Sequence, residues 1–339
     1  MRCAGSFIHD ILVTIPMLLT TRQLFDKCYG RYAIPAVNVF FMEEIHGLFA
    51  AAQEADAPFI VQTTPFARDY ANADMLLSMI GAAARIYPRV TYAIHMDHGY
   101  EEHIFDAIGK GGYTSVMIDA SHDSFEKNVA RTKAVVTAAH AKGMSVEAEL
   151  GVLAGVEDDL TVDAAHSFYT NPQQVEDFVK ATDCDSLAIA VGTSHGAYKF
   201  SGGQGLQFHI LEEIQQRLPG FPLVLHGGSN VVPEVIERIN AAGGQLKTDA
   251  KGVQEEEVKR AIPLGICKIN IATDTRLLWT MVNREFFRDR PDEFAPTTPG
   301  KIFMEEYKKF MLKKFELFGC TGKAIDFSTL SADSVSNSK

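Results

Sequence analysis

Short runs of apolar and β-branched residues recur along the chain at 33–40 (AIPAVNVF), 58–64 (PFIVQTT), 90–97 (VTYAIHMD) and 115–120 (SVMIDA). Four more follow at 144–150 (MSVEAEL), 186–194 (SLAIAVGTS), 222–226 (PLVLH) and 266–272 (ICKINIA). Each is bounded by turn residues and too short for a helix, which predicts a strand. Between them lie segments of helical periodicity, among them 42–55, 69–86, 124–141 and 206–218. Near-continuous apolar strands alternating with helices predict a parallel sheet covered by helices. Eight such repeats predict an α/β fold closed into a (β/α)8 barrel rather than an open sheet, and no Gly-rich dinucleotide fingerprint follows the first strand. The segment 274–319 is longer than one helix and contains RDRPDEFAPTTPG, so a final helix, a Pro-rich connection and an added C-terminal helix are expected. The barrel is expected to span 1–325 as a single domain, with 1–16 as an atypical N-terminal extension and 326–339 as a flexible tail.

Composition agrees with an ordinary globular protein with ample core. The chain has 339 residues, 46% hydrophobic and 22% charged, which excludes disorder and collagen-like structure. Length alone suggests two domains, but α/β barrels commonly run to about 250 residues or more as one unit. A net charge of -11 and a pI near 5.5, with no long basic run, argue against nucleic acid as a partner. Phosphorylated small molecules remain compatible, because two or three local donors can hold a phosphate on an acidic protein. Cys3, Cys28, Cys184, Cys267 and Cys320 are odd in number and widely spaced, which points to a reducing cytoplasm. The apolar N-terminal stretch is interrupted by His9 and Asp10 with no clean cleavage site, so a signal peptide is not expected. No run reaches the roughly 18 apolar residues of a membrane span.

Barrel enzymes place their chemistry at the carboxyl ends of the strands. Here those ends carry Asn38, Thr64, Asp97, His98, Asp119, Ser121, Glu149, His195, His226, Asn270, Thr273 and Asp274. Three of the eleven histidines fall there, in MDHG, GTSHG and LHGG. A lone strand-end His is more often a hydrogen-bonded structural residue. Three that a barrel brings around one axis are instead the usual ligand set of a catalytic Zn²⁺, which singles out His98, His195 and His226. His9, His46, His103, His140, His166 and His209 are read as structural or solvated, His95 as a supporting or packing residue facing the interior, and His122 as either.

The segment SVEAELGVLAGVEDDLTVD reads either as a solvated acidic loop or as a lid over the mouth. Glu149 lies at a strand end and could ligate; Glu157 lies further along and could move; Glu149 with Asp119 offers a second, carboxylate-rich position for a divalent or monovalent cation. HGGS at 226–229 and NIATD at 270–274 end the last two strands, where barrels often cradle a phosphate. Gly227 and Gly228 permit close backbone approach, while Ser229 and Thr273 add hydroxyls. GTSHGAYKF adds Gly196 and Lys199, the latter either facing phosphate or an ordinary surface lysine.

MDHG, SVMIDAS, VEAELG with the following VED, VGTSHG, LVLHGGS and KINIATD occur in order across roughly 20–325, and together they resemble the class II, metal-dependent ketose-bisphosphate aldolases. The resemblance implies a (β/α)8 barrel with Zn²⁺ on His98, His195 and His226, and with Glu149 and Asp119 at a second or displaced metal position. It implies that Asp97 handles the proton on the C4 oxygen and that Glu157 exchanges the proton at the carbon nucleophile. Contacts to dihydroxyacetone phosphate would come from Gly196, Gly227, Gly228, Ser229, Asn270, Ile271, Ala272 and Thr273, with Thr64 near the aldehyde. The implied activity is cytoplasmic, glycolytic cleavage of fructose 1,6-bisphosphate by a homo-oligomer, dimer or tetramer. VEAELGVLAGVEDD is also similar to members acting on tagatose bisphosphate, whereas TDTR, with Asp274 and Arg276, resembles the fructose branch, where such residues contact the C4 hydroxyl and distal phosphate. The TTPG segment departs from the more usual charged sequence there.

Two rival readings carry their own signatures. A Schiff-base aldolase needs a lysine inside the barrel, for which Lys268 is the obvious candidate. A non-catalytic phosphosugar binder or surface adhesin keeps the pocket but does not need Glu157.

Overall fold

The computed structural model describes residues 16–152, 155–157, 160–162, 168–193, 205–248 and 252–328. Eight parallel strands close on themselves: β1 (Ile34–Asn38), β2 (Phe59–Thr63), β3 (Thr91–Gly99), β4 (Ser115–Ile118), β5 (Ser145–Leu150), β6 (Ser186–Ile189), β7 (Leu223–Leu225) and β8 (Ile266–Ile271). Each pairs with the next, and β8 pairs with β1 through Asn270 opposite Ala36, completing the (β/α)8 barrel. Every strand residue is buried, which is why the strands read as near-continuous apolar runs rather than as alternating ones.

The surrounding helices are α1 (Met42–Ala55), α2 (Ala73–Ile86), α3 (Glu101–Lys110), α4 (Phe125–His140), α5 (Pro172–Thr182), α6 (Phe208–Arg217), α7 (Pro233–Ala241) and α8 (Thr273–Asp289). The added C-terminal helix is α9 (Thr297–Leu317), which begins within the TTPG segment and packs on α1 and α8. Its approach to α1 needs a glycine: a Cβ on Gly47 would stand 2.8 Å from Cδ1 of Tyr307. Among the described residues no helix is long and apolar enough to cross a membrane.

The elements depart from the sequence reading in four places. The segment 69–86 is two helices, Pro65–Ala71 and α2, separated at Asn72, whose backbone takes a positive φ of 70° and whose side chain accepts the Asp74 N–H. Part of the acidic loop is an antiparallel hairpin, Gly155–Glu157 with Leu160–Val162. A two-residue strand, Met17–Leu18, pairs with the start of β3, followed by a helix, Thr21–Cys28, with a capping box at Thr20. At the other end Phe327 is fully buried and Asp326 accepts the Tyr32 hydroxyl at 3.1 Å, so residues up to 328 belong to the fold. Residues 1–15 and 329–339 lie outside the described residues.

The outer faces of the strands pack on the helices through one large apolar cluster. The barrel interior has a small apolar plug of Met117, Ala188 and Val224. Barrel interiors are usually filled by branched apolar side chains. Beside this plug, buried Gln62, His95, Glu147 and Lys268 occupy interior positions instead. Side chains on a strand alternate with period two, so the last three of these positions lie directly beneath Asp97, Glu149 and Asn270 at the mouth.

Candidate functional site

The end of β3 is irregular. Its pairing with β4 shifts between Met96 and Gly99, and His98 adopts a left-handed backbone with φ of 46°. A non-glycine residue in that region costs on the order of 1–3 kcal/mol and persists where the surroundings enforce it. The twist aims His98 at His226, at the end of β7: His98 Nε2 stands 2.8 Å from His226 Nδ1, with the rings nearly perpendicular.

Asp97, fully buried, is surrounded by donors. Its Oδ2 accepts the amides of Gln62 at 3.1 Å and Asn38 at 3.3 Å, its Oδ1 accepts the Asn270 amide at 3.2 Å, and Lys268 Nζ lies 3.6 Å from Oδ1. Asn38 in turn accepts from Gln62. The strand ends β1, β2, β3 and β8 therefore converge on one carboxylate. Gln62 was not singled out in the sequence, although it stands one residue inside the β2 end on the inward face.

Below His226 lies a second carboxylate. His226 Nε2 donates to Glu147 Oε1 at 2.8 Å, and Lys268 Nζ donates to Glu147 Oε2 at 2.8 Å. Burial alone raises the Glu147 carboxyl pKa, but the Lys268 ammonium and the His226 N–H outweigh it and hold the group well below the usual range. Burial lowers the His226 imidazole pKa, with the Glu147 hydrogen bond opposing it. His95 is neutral for the same reason, held down to about 3 by burial and by Lys268, and its Nδ1 is 2.7 Å from Ser115 Oγ.

On the other side of His98, its Nδ1 is 3.6 Å from Asp119 Oδ2. Asp119 also accepts the backbone N–H and hydroxyl of Ser121, and these groups with His98 overcome burial to keep its carboxyl pKa well below the ordinary range. Glu149 is buried at the end of β5, where its backbone carbonyl accepts the Asn128 amide.

Ligand atoms of Asp97, His98 and His226 lie within 4.8 Å of one another, as do those of His98, Asp119 and Glu149. The donor set fits a divalent cation. Two facing imidazole nitrogens at 2.8 Å leave room for one proton between them, whereas two lone pairs and a neighbouring carboxylate suit a metal ion. A third cluster, His95 with Asp97 and Glu147, does not fit, because the Lys268 ammonium already neutralises it. His195, Gly196 and Lys199 lie outside the described residues. Glu157 is described in its backbone, at the end of the first hairpin strand opposite Leu160.

The HGGS turn follows β7. Gly227 has φ of 63°, and a Cβ on Gly228 would stand 2.4 Å from Ile269 Cγ2 and 3.0 Å from the Asn270 carbonyl, so only glycine fits there. Buried Ser229 accepts the Ala272 N–H at 3.4 Å, tying this turn to the start of α8. Ile271 is the buried last residue of β8, Ala272 caps α8, and Thr273 opens it. Asp274 turns onto its own chain: it accepts the N–H groups of Asn230 at 2.9 Å and Val231 at 2.8 Å, and Lys314 lies 3.2 Å away. Arg276 rests its guanidinium 4.9 Å from the centre of the Phe40 ring, at the rim. Thr64 caps the helix Pro65–Ala71, its hydroxyl accepting the Ala67 N–H at 3.2 Å. The structure thus brings Asn38, Asp97, His98, Asp119, Glu149, His226 and Asn270 to one end of the barrel, with the HGGS turn beside them.

Residues 19–323 match the family model described as fructose-bisphosphate aldolase class-II. A fructose-bisphosphate aldolase of Thermus caldophilus is 41% identical, the match covering 91% of this chain and 100% of that protein. One of Treponema pallidum is 40% identical, covering 91% and 98%. Among solved structures, the YdjI aldolase of Escherichia coli K12 superposes with a TM-score of 0.71 at 29% identity, over 91% of this chain and 100% of the other.

Proposed function

Since the chain belongs to the class II fructose-bisphosphate aldolase family, a family of metal-dependent lyases, we propose that it cleaves fructose 1,6-bisphosphate reversibly to dihydroxyacetone phosphate and glyceraldehyde 3-phosphate. The observation that carries this reading is the pairing of His98 with His226 at 2.8 Å beside the buried carboxylate of Asp97. Zn²⁺ is the cation this reading assigns to His98, His226 and His195, and when bound it supplies electrostatic stabilisation for the negative charge that develops on the substrate's C2 oxygen as the C3–C4 bond breaks. Asp119 and Glu149 serve a second or displaced cation position.

The remaining work falls to the chain's own groups. Asp97 removes the C4 hydroxyl proton as that oxygen becomes a carbonyl. The amides of Asn38, Gln62 and Asn270 hold its carboxylate in place for that transfer. Glu157 returns a proton to C3, so two carboxylates divide the two proton transfers. The backbone of Gly196, Gly227 and Gly228, the Ser229 hydroxyl and the run Asn270 to Thr273 receive the phosphate of dihydroxyacetone phosphate, with Lys199 adding charge. Thr64 stands beside the aldehyde and Arg276 receives the distal phosphate. Anchoring both ends aligns the short sugar and supplies binding energy remote from the reacting carbons.

The Schiff-base route finds no support in the position of Lys268, whose ammonium is engaged by Glu147 at 2.8 Å and lies 3.6 Å from Asp97. Among the described residues the cysteines Cys28, Cys184, Cys267 and Cys320 are buried free thiols, which suits the reducing cytoplasm of a glycolytic enzyme. The test is a kinetic comparison of fructose and tagatose bisphosphates on purified protein, before and after chelation. Activity on the fructose substrate that is lost to chelator, restored by Zn²⁺ and accompanied by no borohydride trapping is the expected result. A preference for tagatose bisphosphate, or covalent trapping at Lys268, would overturn it.

A further inference from the structure

We propose that Glu147 and Lys268 form a positioning pair that fixes the tautomer and ring orientation of His226 from beneath the cation site. The inference rests on the reading of His226 as a cation ligand. It adds two residues that touch neither substrate nor cation: Glu147 acts through His226, and Lys268 acts through Glu147 while also lying 3.6 Å from Asp97 Oδ1.

The geometry divides the Glu147 carboxylate between two partners. Its Oε1 accepts the His226 Nε2–H at 2.8 Å, and its Oε2 accepts from Lys268 Nζ at 2.8 Å. With the proton held on Nε2, the lone pair of His226 resides on Nδ1, the nitrogen that faces His98 Nε2. An imidazole hydrogen-bonded in this way presents one defined nitrogen to a cation, and loss of such a partner typically weakens metal affinity by about 10–100-fold. Lys268 keeps the carboxylate from rotating, because releasing Oε2 would strand an ammonium that is itself fully buried.

Packing alone does not account for the pair. Glu147 and Lys268 are each no more than 1% exposed, and the neighbouring interior positions on β4, β6 and β7 are filled by Met117, Ala188 and Val224. Replacing a buried ion pair by apolar side chains of similar volume is often neutral or stabilising. Keeping charge here while those positions are apolar points to a task for the charge, and the neutral ring that hydrogen-bonds to the Glu147 carboxylate is that of His226. Because side chains alternate along a strand, Glu147 lies one interior layer below Glu149 and Lys268 one below Asn270, the level from which a strand-end imidazole can be held without blocking the mouth.

The experiment compares two double variants that both remove the buried charges, Glu147→Gln/Lys268→Met and Glu147→Leu/Lys268→Met, with the wild type and His226→Ala. Only the first retains a carbonyl acceptor for Nε2–H. Two readouts are taken: zinc affinity by chelator competition, and the His226 tautomer by ¹⁵N resonance in metal-free protein. The Gln/Met variant is expected to hold zinc within about threefold of wild type with the proton on Nε2, while the Leu/Met variant binds about 10–100-fold more weakly and populates both tautomers. Equal zinc affinity and equal tautomer populations in the two double variants would overturn the pair's role. A His226→Ala protein that binds zinc as wild type does would instead overturn the reading of His226 as a ligand, and the tautomer measurement distinguishes the two failures.

Discussion

Lys314 Nζ lies 3.2 Å from Asp274 Oδ2, a buried ion pair that joins the added C-terminal helix to the first turn of α8 at the barrel mouth. Through it, a helix outside the (β/α)8 repeat supports the HGGS turn, because Asp274 also accepts the backbone N–H groups of Asn230 and Val231. Val231 needs that support. Its φ of 49° is an outlier for a β-branched residue.

Removing the clamp should therefore loosen anion binding more than chemistry. Asp274→Ala strands the Lys314 ammonium and releases two N–H groups, a loss of about 3–5 kcal/mol for a broken buried pair. Asp274→Asn keeps an acceptor and is expected to lose less. In both, KM for the bisphosphate should rise more than kcat falls, with thermal unfolding reporting the stability loss. If Asp274 instead contacted the C4 hydroxyl, kcat would fall with little change in stability.

Gly228→Ala tests how closely the backbone approaches at the same turn. The added Cβ would meet Ile269 Cγ2 at 2.4 Å and the Asn270 carbonyl at 3.0 Å, both on β8. Overpacking of this kind costs about 1–3 kcal/mol. Displacing Asn270 also disturbs its hydrogen bond to Asp97, so activity should drop more than the stability change alone explains. Wild-type kcat/KM in this variant would show that the turn has room the structure does not indicate.

What could be read in the sequence was what sits at strand ends. All eight strands, and the convergence of Asp97, His98, His226 and Asn270, follow from period and position. The partnerships of Asp274 were not legible, because Asn230, Val231 and Lys314 are remote in sequence and meet it only through tertiary packing. Glu147 was visible only as one acid in an acidic stretch, although its place two residues before Glu149 put it on the inward face. Met17–Leu18 is too short for any periodic signal, and the break at Asn72 depends on a side-chain cap within an otherwise helical run.

Two buried groups should shape the dependence of stability on pH. The Glu44 carboxyl pKa is pushed up to about 8, chiefly by burial, although Oε2 accepts the Phe40 N–H at 2.7 Å. As pH rises from the unfolded value of 4.5 towards 8, the unfolded chain releases this proton and the folded protein keeps it, so stability falls. His95, held down to about 3, acts on the other side: below 6.5 the unfolded chain takes up a proton that the folded protein refuses, and stability falls as pH drops. Each slope approaches about 1.4 kcal/mol per pH unit. Glu44→Gln retains an acceptor for Phe40 and should flatten the alkaline limb, raising the melting temperature at pH 8 but not at pH 5. Parallel melting curves for the two proteins across that range would contradict the assignment.

Phe40 should matter to the distal end of the substrate without touching the reacting carbons. Its ring lies under the Arg276 guanidinium at 4.9 Å and packs edge-on against Phe66, which fixes where that charge stands at the rim. A cation–π contact of this kind contributes about 0.5–2 kcal/mol, equivalent to about 2–30-fold in affinity. Phe40→Leu keeps apolar bulk and removes the π face, so KM for fructose 1,6-bisphosphate should rise several-fold. Fructose 1-phosphate, which lacks the distal phosphate, offers Arg276 nothing to hold, and its KM should be unchanged. An equal loss on both substrates would mean that Phe40 supports the mouth as a whole and that Arg276 is not the distal anchor.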